Sequence, residues 1–184
     1  EVGDVILMTK YAGIEGTGII IGDFERKCRE VLSDDEIRQG RLLLDRVSVV
    51  EEGIIIGREG FCKMHDVTEG GVLGAVWETC SLIGLGCTVK EKSIPVLEIT
   101  EKISRIFKID CLRLISSGSM LVVAKREKAD VIIEKLRARG ILCTEIGSIT
   151  EGTQGMKIER ENGDLEKIEP PEKDEIYKVI HKEI

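Results

Sequence analysis

At 184 residues the chain is long enough for one well-buried core and short for two, so a single domain over residues 1–184 is expected. A net charge of −7 with 3% aromatic residues provides neither the basic footprint nor the stacking platforms of a nucleic-acid binder, and no nucleic-acid partner is expected. No apolar run approaches a membrane span, and the start Glu1-Val2-Gly3-Asp4 has neither a secretory signal nor an initiator methionine; a cytoplasmic piece of a longer protein, with no membrane partner, is expected.

In chain order, the apolar run 5–9 reads as a strand that feeds a glycine-rich turn over 12–18 and then a helix to about residue 31, which Gly22 weakens. Ser33 and Glu36 have the spacing of a capping box and open a second helix to about residue 45. Residues 47–57 are ambiguous, because Ile54-Ile55-Ile56 has strand composition. A helix over 72–83 places Val72, Ala75, Val76, Thr79 and Cys80 on one apolar face. Residues 86–92 form a strand, Pro95 starts a helix to about 107, and 120–124 is a strand. The helix 128–139 stops at Gly140 and precedes a strand over 141–149. Residues 154–159 and 165–168 flank Asn162-Gly163, a pair that favours the primed hairpin turn. Pro170-Pro171 punctuates a charged tail over 169–184.

Six cysteines, at 28, 62, 80, 87, 111 and 143, form no C-x-x-C pair, and the two histidines, His65 and His181, are not at metal spacing. Buried reduced thiols are expected, and no metal site.

Met64-His65-Asp66-Val67-Thr68-Glu69-Gly70-Gly71 carries the strongest chemical signal. Two glycines open a helix whose first amides lack intrahelical partners, a shape that holds an anion by backbone alone. The alternative is a cap: Asp66 accepts from first-turn amides and Glu69 reaches back. Capping leaves the glycines unexplained, since each costs about 1 kcal/mol relative to alanine inside a helix. Either a ligand or another chain segment must approach that backbone. Gly13, Gly16 and Gly18 follow a strand without the G-x-G-x-x-G spacing and read as a close strand-to-helix turn, to which Lys10 and Thr17 add candidate phosphate contacts. Ser117-Gly118-Ser119 cradles an anion or turns the chain. His65 is a candidate proton shuttle or a structural hydrogen-bonder.

His65-Asp66-Val67-Thr68-Glu69-Gly70-Gly71-Val72-Leu73-Gly74-Ala75 resembles the signature of the carboxy-terminal domain in the aminoimidazole ribonucleotide (AIR) synthetase superfamily. Gly3-Asp4-Val5-Ile6-Leu7-Met8-Thr9-Lys10 and Leu114-Ile115-Ser116-Ser117-Gly118-Ser119-Met120-Leu121 extend the resemblance over nearly the whole chain. Members include the purine-pathway cyclo-ligase, formylglycinamidine ribonucleotide synthetase, selenophosphate synthetase, thiamine monophosphate kinase and hydrogenase maturation proteins of the HypE type. The resemblance implies an α+β fold, a mixed β-sheet covered by helices with a partial ferredoxin-like, split βαβ topology. It also makes residues 47–57 a helix.

The resemblance further implies that ATP and magnesium are held in the full-length parent by acidic residues of an amino-terminal domain that this chain lacks, and that the fragment alone binds neither tightly and is inactive. Its expected partners are that amino-terminal domain and a small phosphorylated substrate, with the family homodimer formed mainly through the missing domain. The function implied is the carboxy-terminal half of an ATP-dependent enzyme, supplying part of a phosphate or substrate pocket at an interdomain cleft. Asp66, Thr68, Glu69, Gly70 and Gly71 are the binding candidates, followed by Lys10, Gly16, Thr17, Ser117, Gly118 and Ser119, with His65 as the catalytic candidate. A HypE-type hydrogenase maturation domain is an alternative. That branch carries a catalytic cysteine at its extreme carboxy terminus and an Arg-containing form of the motif, whereas no cysteine follows Cys143 here. A binding or assembly domain, with glycines used for packing alone, is the third reading.

Overall fold

A computed structural model describes residues 1–60 and 63–183. Among these residues seven strands form one mixed sheet: β1 (Val5–Thr9), β2 (Lys63–Asp66), β3 (Gly86–Lys90), β4 (Met120–Ala124), β5 (Cys143–Thr150), β6 (Met156–Glu159) and β7 (Leu165–Lys167). The spatial order is β2-β4-β1-β5-β3-β6-β7. Among the described residues eight α-helices accompany the strands: α1 (Ile14–Asp23), α2 (Glu25–Cys28), α3 (Asp34–Arg41), α4 (Val50–Gly57), α5 (Gly71–Ile83), α6 (Glu98–Phe107), α7 (Arg126–Arg137) and α8 (Ile176–Glu183).

β1 is antiparallel to both β4 and β5, so β4–α7–β5 is a split βαβ unit with β1 inserted between its strands. β2 and β3 lie antiparallel to β4 and β5 on the outside, and α5 joins them in a wider split unit that encloses β4, β1 and β5. The expected α+β, partly ferredoxin-like architecture follows. β1 is the spine, and its five residues are all buried because side chains alternate between two covered faces. Ile6 and Met8 join the core under α5, with Val72, Val76 and Cys80; Val5 and Leu7 join the core under α4 and α7, with Ile56, Ile132 and Leu136. A third cluster, with Ile20, Ile21, Ile103 and Phe107, is shared by α1, α3, α6 and α8.

The apolar face expected on α5 is buried at every position, joined by Leu73. The Ser33 capping box forms, with the Ser33 amide donating to Glu36 at 2.8 Å and the Glu36 amide to Ser33 Oγ at 3.3 Å. Lys102 beside Glu36, with the Ser33 donors, holds that carboxyl down at about 2.

Four local expectations shift. Gly16, Thr17 and Gly18 lie inside α1 instead of a turn, because Gly16 packs against Leu114 where a side chain would collide. The helix read to residue 31 breaks at Phe24, whose φ of −122° leaves the helical region. Pro95 precedes an extended step, with Ala12 bridged to Val96, and α6 begins only at Glu98. The β6–β7 hairpin forms, but of its Asn-Gly pair only Gly163 has positive φ, so the turn is not the primed type. The charged segment after residue 168 ends in α8, which buries Ile176 and Val179. Among the described residues no helix is long and apolar enough to cross a membrane.

Because Leu7 is fully buried between α4, α7 and the sheet, Leu7→Ala is expected to cost about 2–5 kcal/mol, measured as a drop in urea midpoint at unchanged m value.

Candidate functional site

The carboxy-terminal ends of β1 and β2 lead into α1 and α5, so both glycine-rich segments open helices at the same end of the sheet. Residues 111–119 pass between them. A methyl group at Gly71 would lie 2.6 Å from the Leu112 carbonyl oxygen and 2.8 Å from the Leu114 nitrogen. Gly71 also has φ of +60°, a conformation that side-chain-bearing residues rarely adopt. On the other side, a methyl group at Gly16 would collide with the Leu114 side chain, and one at Gly13 would crowd the Cys111 carbonyl. Each of these glycines is thus matched by a close approach of the protein's own chain.

Gly70, with φ of +80°, is the N-cap of α5, and no side chain of its own loop caps the helix. Its amide instead donates to Asp174 Oδ2 at 2.7 Å. Asp174 is 3% exposed, and its other oxygen accepts from the Ile176 amide at 2.9 Å. Burial pushes the Asp174 carboxyl above its usual range, against the opposing pull of the Ile176, Gly70 and Ile115 amides. Pro171 covers the same turn, where its Cβ would lie 2.7 Å from a methyl group at Gly70. A carboxylate of the chain itself therefore sits at the start of α5, where the dipole favours an anion.

The Asp66–Glu69 capping box does not form. Asp66 is the exposed last residue of β2, and Glu69 accepts from the Tyr177 hydroxyl at 3.3 Å. Thr68 is half-buried, and its carbonyl accepts from the Gly71 amide at 3.1 Å. His65 lies between Nδ1···Asp66 O at 2.7 Å and Nε2···Glu78 Oε2 at 2.8 Å, which fixes the ring between the β2 edge and α5.

The second group of candidates does converge. Ser116 Oγ accepts from the Gly13 amide at 2.9 Å, Ser119 Oγ donates to the Tyr11 carbonyl at 2.7 Å, and the Ser117 amide donates to Glu15 at 3.1 Å. Thr17 Oγ1 pairs with Thr100 Oγ1 at 2.9 Å and is fully buried. Lys10, at φ +53°, donates to the Ser48 and Gly118 carbonyls at 2.7 Å each and pairs with Glu52 at 2.6 Å. Its ammonium is enclosed by these acceptors instead of facing an open loop.

Sequence reasoning missed Asp174, Pro171 and Glu52. Asp174 stands just before Ile176, Val179 and Ile180, the cap-then-apolar spacing of a helix start. Glu52 has no such local signal. Burial pushes the thiols of Cys28 and Cys111 to about 11 and that of Cys143 to about 12, so all three are inert near neutrality. Cys62 lies outside the described residues. Among the described residues no group of three His, Cys, Asp or Glu side chains is placed to hold a metal ion.

Residues 1–159 match the family model of the AIR synthase related protein, C-terminal domain. The chain belongs to that family. It is 29% identical over 163 residues to a protein of Methanocaldococcus jannaschii described as a hydrogenase expression/formation protein, a match covering 85% of this chain and 45% of that relative. Among solved structures, E. coli HypE superposes with a TM-score of 0.79 at 18% identity, over 97% of this chain and 53% of that one. HypE in complex with ATP gives a TM-score of 0.69 at 20% identity, over 96% and 53%. The chain spans about half the length of these relatives.

Three outcomes follow from the site's geometry. Gly71→Ala is expected to lower the thermal midpoint of the domain itself, because its φ and the 2.6 Å approach to Leu112 both resist a side chain. Lys10→Met would leave Glu52, 2% exposed, without its counter-charge, at a cost of about 3–5 kcal/mol by denaturant unfolding. Since Asp174 binds its proton more tightly folded than unfolded, its contribution is largest at acid pH and falls as pH rises past the ordinary carboxylate range. The stability of the protein minus that of Asp174→Asn, followed from pH 3 upward, should decline over that window; a rise would contradict the assignment.

Proposed function

We propose that the chain is the carboxy-terminal half of a HypE-like, ATP-dependent cytoplasmic protein of hydrogenase maturation. Its glycine-started end would face a preceding domain across a cleft that takes a small phosphorylated substrate. The observation that supports this most is the match of 97% of this chain to 53% of E. coli HypE, together with a hydrogenase-formation relative of which the chain again spans less than half. At that end Thr68, Glu69, Gly70 and Gly71 form the mouth, with Asp66 and His65 on the adjoining β2 edge. The first helical bond of α5 runs from the Gly74 amide to the Gly70 carbonyl at 3.0 Å, and the half-buried Thr68 and exposed Glu69 offer polar groups at its rim. Lys10, Gly16, Thr17, Ser117, Gly118 and Ser119 hold the supporting loops. ATP would be bound largely by the preceding domain. Magnesium is not assigned to this chain, whose described residues offer no fitting donor set.

A second reading, a binding or assembly domain, is favoured by the Asp174 carboxylate on Gly70 and by Pro171 against the same turn. Phosphoryl transfer depends on positioning and charge neutralisation around metal and phosphates. This chain alone is therefore expected to show no ATP turnover, whereas the parent with its preceding domain should hydrolyse ATP. Thr68→Ala with Glu69→Gln in the parent should lower kcat/KM about tenfold or more at unchanged thermal midpoint. Unchanged kinetics in that folded double variant would leave the assembly reading.

A further inference from the structure

Cys80 stands near the end of α5, and Cys87 is the second residue of β3. Between them the chain reverses at Gly84, whose φ of +66° is left-handed, and the amides of Gly84 and Leu85 both donate to the Cys80 carbonyl, the latter at 3.2 Å. This corner folds the buried face of α5 against β3, and both cysteine side chains enter the same core cluster. The two thiols meet there. The Cys87 thiol donates a hydrogen bond to the Cys80 sulfur, which raises the Cys87 thiol above its ordinary range and, against the effect of burial, lowers that of Cys80. Cys28, Cys111 and Cys143 differ, because burial is the first cause at each and keeps the thiol protonated.

A sulfur that accepts a hydrogen bond has more thiolate character, and the thiolate is the reactive form, so Cys80 is the nucleophile of the pair. Cys87, in contact with it, is placed to resolve what forms on Cys80. Both side chains are fully buried, yet they lie one layer below solvent. Ser81 is exposed, Leu82 is 83% exposed, and a methyl group at Gly84 would meet nothing within 4 Å. Fraying of this last helical turn uncovers Cys80 to a water-sized reagent. A hydroperoxide has that size and accepts two electrons, the number that a pair of thiols gives up on joining.

We propose that Cys80 and Cys87 form a reversible disulfide on reaction with a hydroperoxide, fastening the end of α5 to the start of β3. The Cys80 thiolate attacks one oxygen of hydrogen peroxide and the O–O bond breaks, leaving a sulfenic acid on Cys80. The departing hydroxide takes up the proton released from Cys80 and becomes water. The Cys87 sulfur then displaces the sulfenic hydroxyl: the S–S bond forms, the S–O bond breaks, and the hydroxyl leaves with the Cys87 proton as a second water. Two thiols are thus oxidised by two electrons while one peroxide is reduced to two waters. The bond closes a short ring around the Gly84 corner, restricts the unfolded chain and stabilises the fold. A small-molecule dithiol reverses it by exchange.

The test treats the native chain with hydrogen peroxide, blocks the remaining thiols, and reads intact mass, peptide map and thermal unfolding. One cross-link should join the peptides that carry Cys80 and Cys87, with a loss of about 2 Da before blocking and a thermal midpoint raised by about 5 °C, all reversed by dithiothreitol. Cys87→Ala should stop the reaction at a sulfenic acid on Cys80, trapped as a dimedone adduct, and Cys80→Ala should leave Cys87 reduced. Cross-links through any other cysteine would overturn the pair. So would oxidation confined to Met156, which lies opposite Cys87 on β6, or two thiols still reduced once the exposed Met64 is oxidised. An unchanged or lowered midpoint in the cross-linked chain would overturn the fastening of α5 to β3.

Discussion

The constraint on which the architecture depends is the passage of residues 111–119 between the starts of α1 and α5. On one flank the backbone at Leu112 and Leu114 leaves no space for a side chain at Gly71; on the other, Cys111 and Leu114 bear on Gly13 and Gly16. The same stretch accepts the Glu175 amide at Arg113 and the Lys10 ammonium at Gly118, so α8 and the turn after β1 are tied to it as well. Because it runs directly into β4, its position also sets the register of β4 beside β1, from Val5 opposite Ala124 to Met8 opposite Leu121. Enlarging one contact glycine therefore displaces more than a loop, and close packing of this kind relaxes only partially.

This packing bears on how a glycine-rich helix start is read. A phosphate approaching the backbone and a neighbouring segment approaching the backbone both require the absence of Cβ, and in both cases the first-turn amides look outward for acceptors. Here the two demands meet at adjacent residues. Gly71 faces the chain at Leu112, and Gly70 gives its amide to a carboxylate brought by a segment more than a hundred residues away. Asp174 meets the electrostatic requirement of the helix start at a desolvation cost visible in its raised pKa.

What was legible in the sequence was local or periodic. The β1 run, the buried face of α5 and the Ser33–Glu36 box depend on spacings of one to eight residues: a short all-apolar run for a strand covered on both faces, a helical period for a helix covered on one, and a cap three residues from its partner. The illegible parts depend on partners distant in sequence. Lys10 looked like a free cation beside a glycine turn, yet its acceptors come from residues 46–52 and 118. The Asp66–Glu69 pattern satisfied a capping rule, but β2 continues through Asp66 because pairing with Met120 gives its backbone a better use. Gly16, placed in a turn by composition, joins a helix because Leu114 needs the space.

Charge distribution separates the two ends of the sheet. At the glycine-started end the candidate polar groups are already engaged: Lys10 with Glu52 and carbonyls, Asp174 with three amides, His65 with Glu78 and the Asp66 carbonyl. Such a surface is preorganised, and it holds loops in place at little further cost when a partner docks. At the other end Arg58, Lys63, Lys125 and Lys128 share an open rim with Glu1, Asp4 and Glu59 around Ile83, Leu85 and Val123, so charges of both signs are left to solvent there.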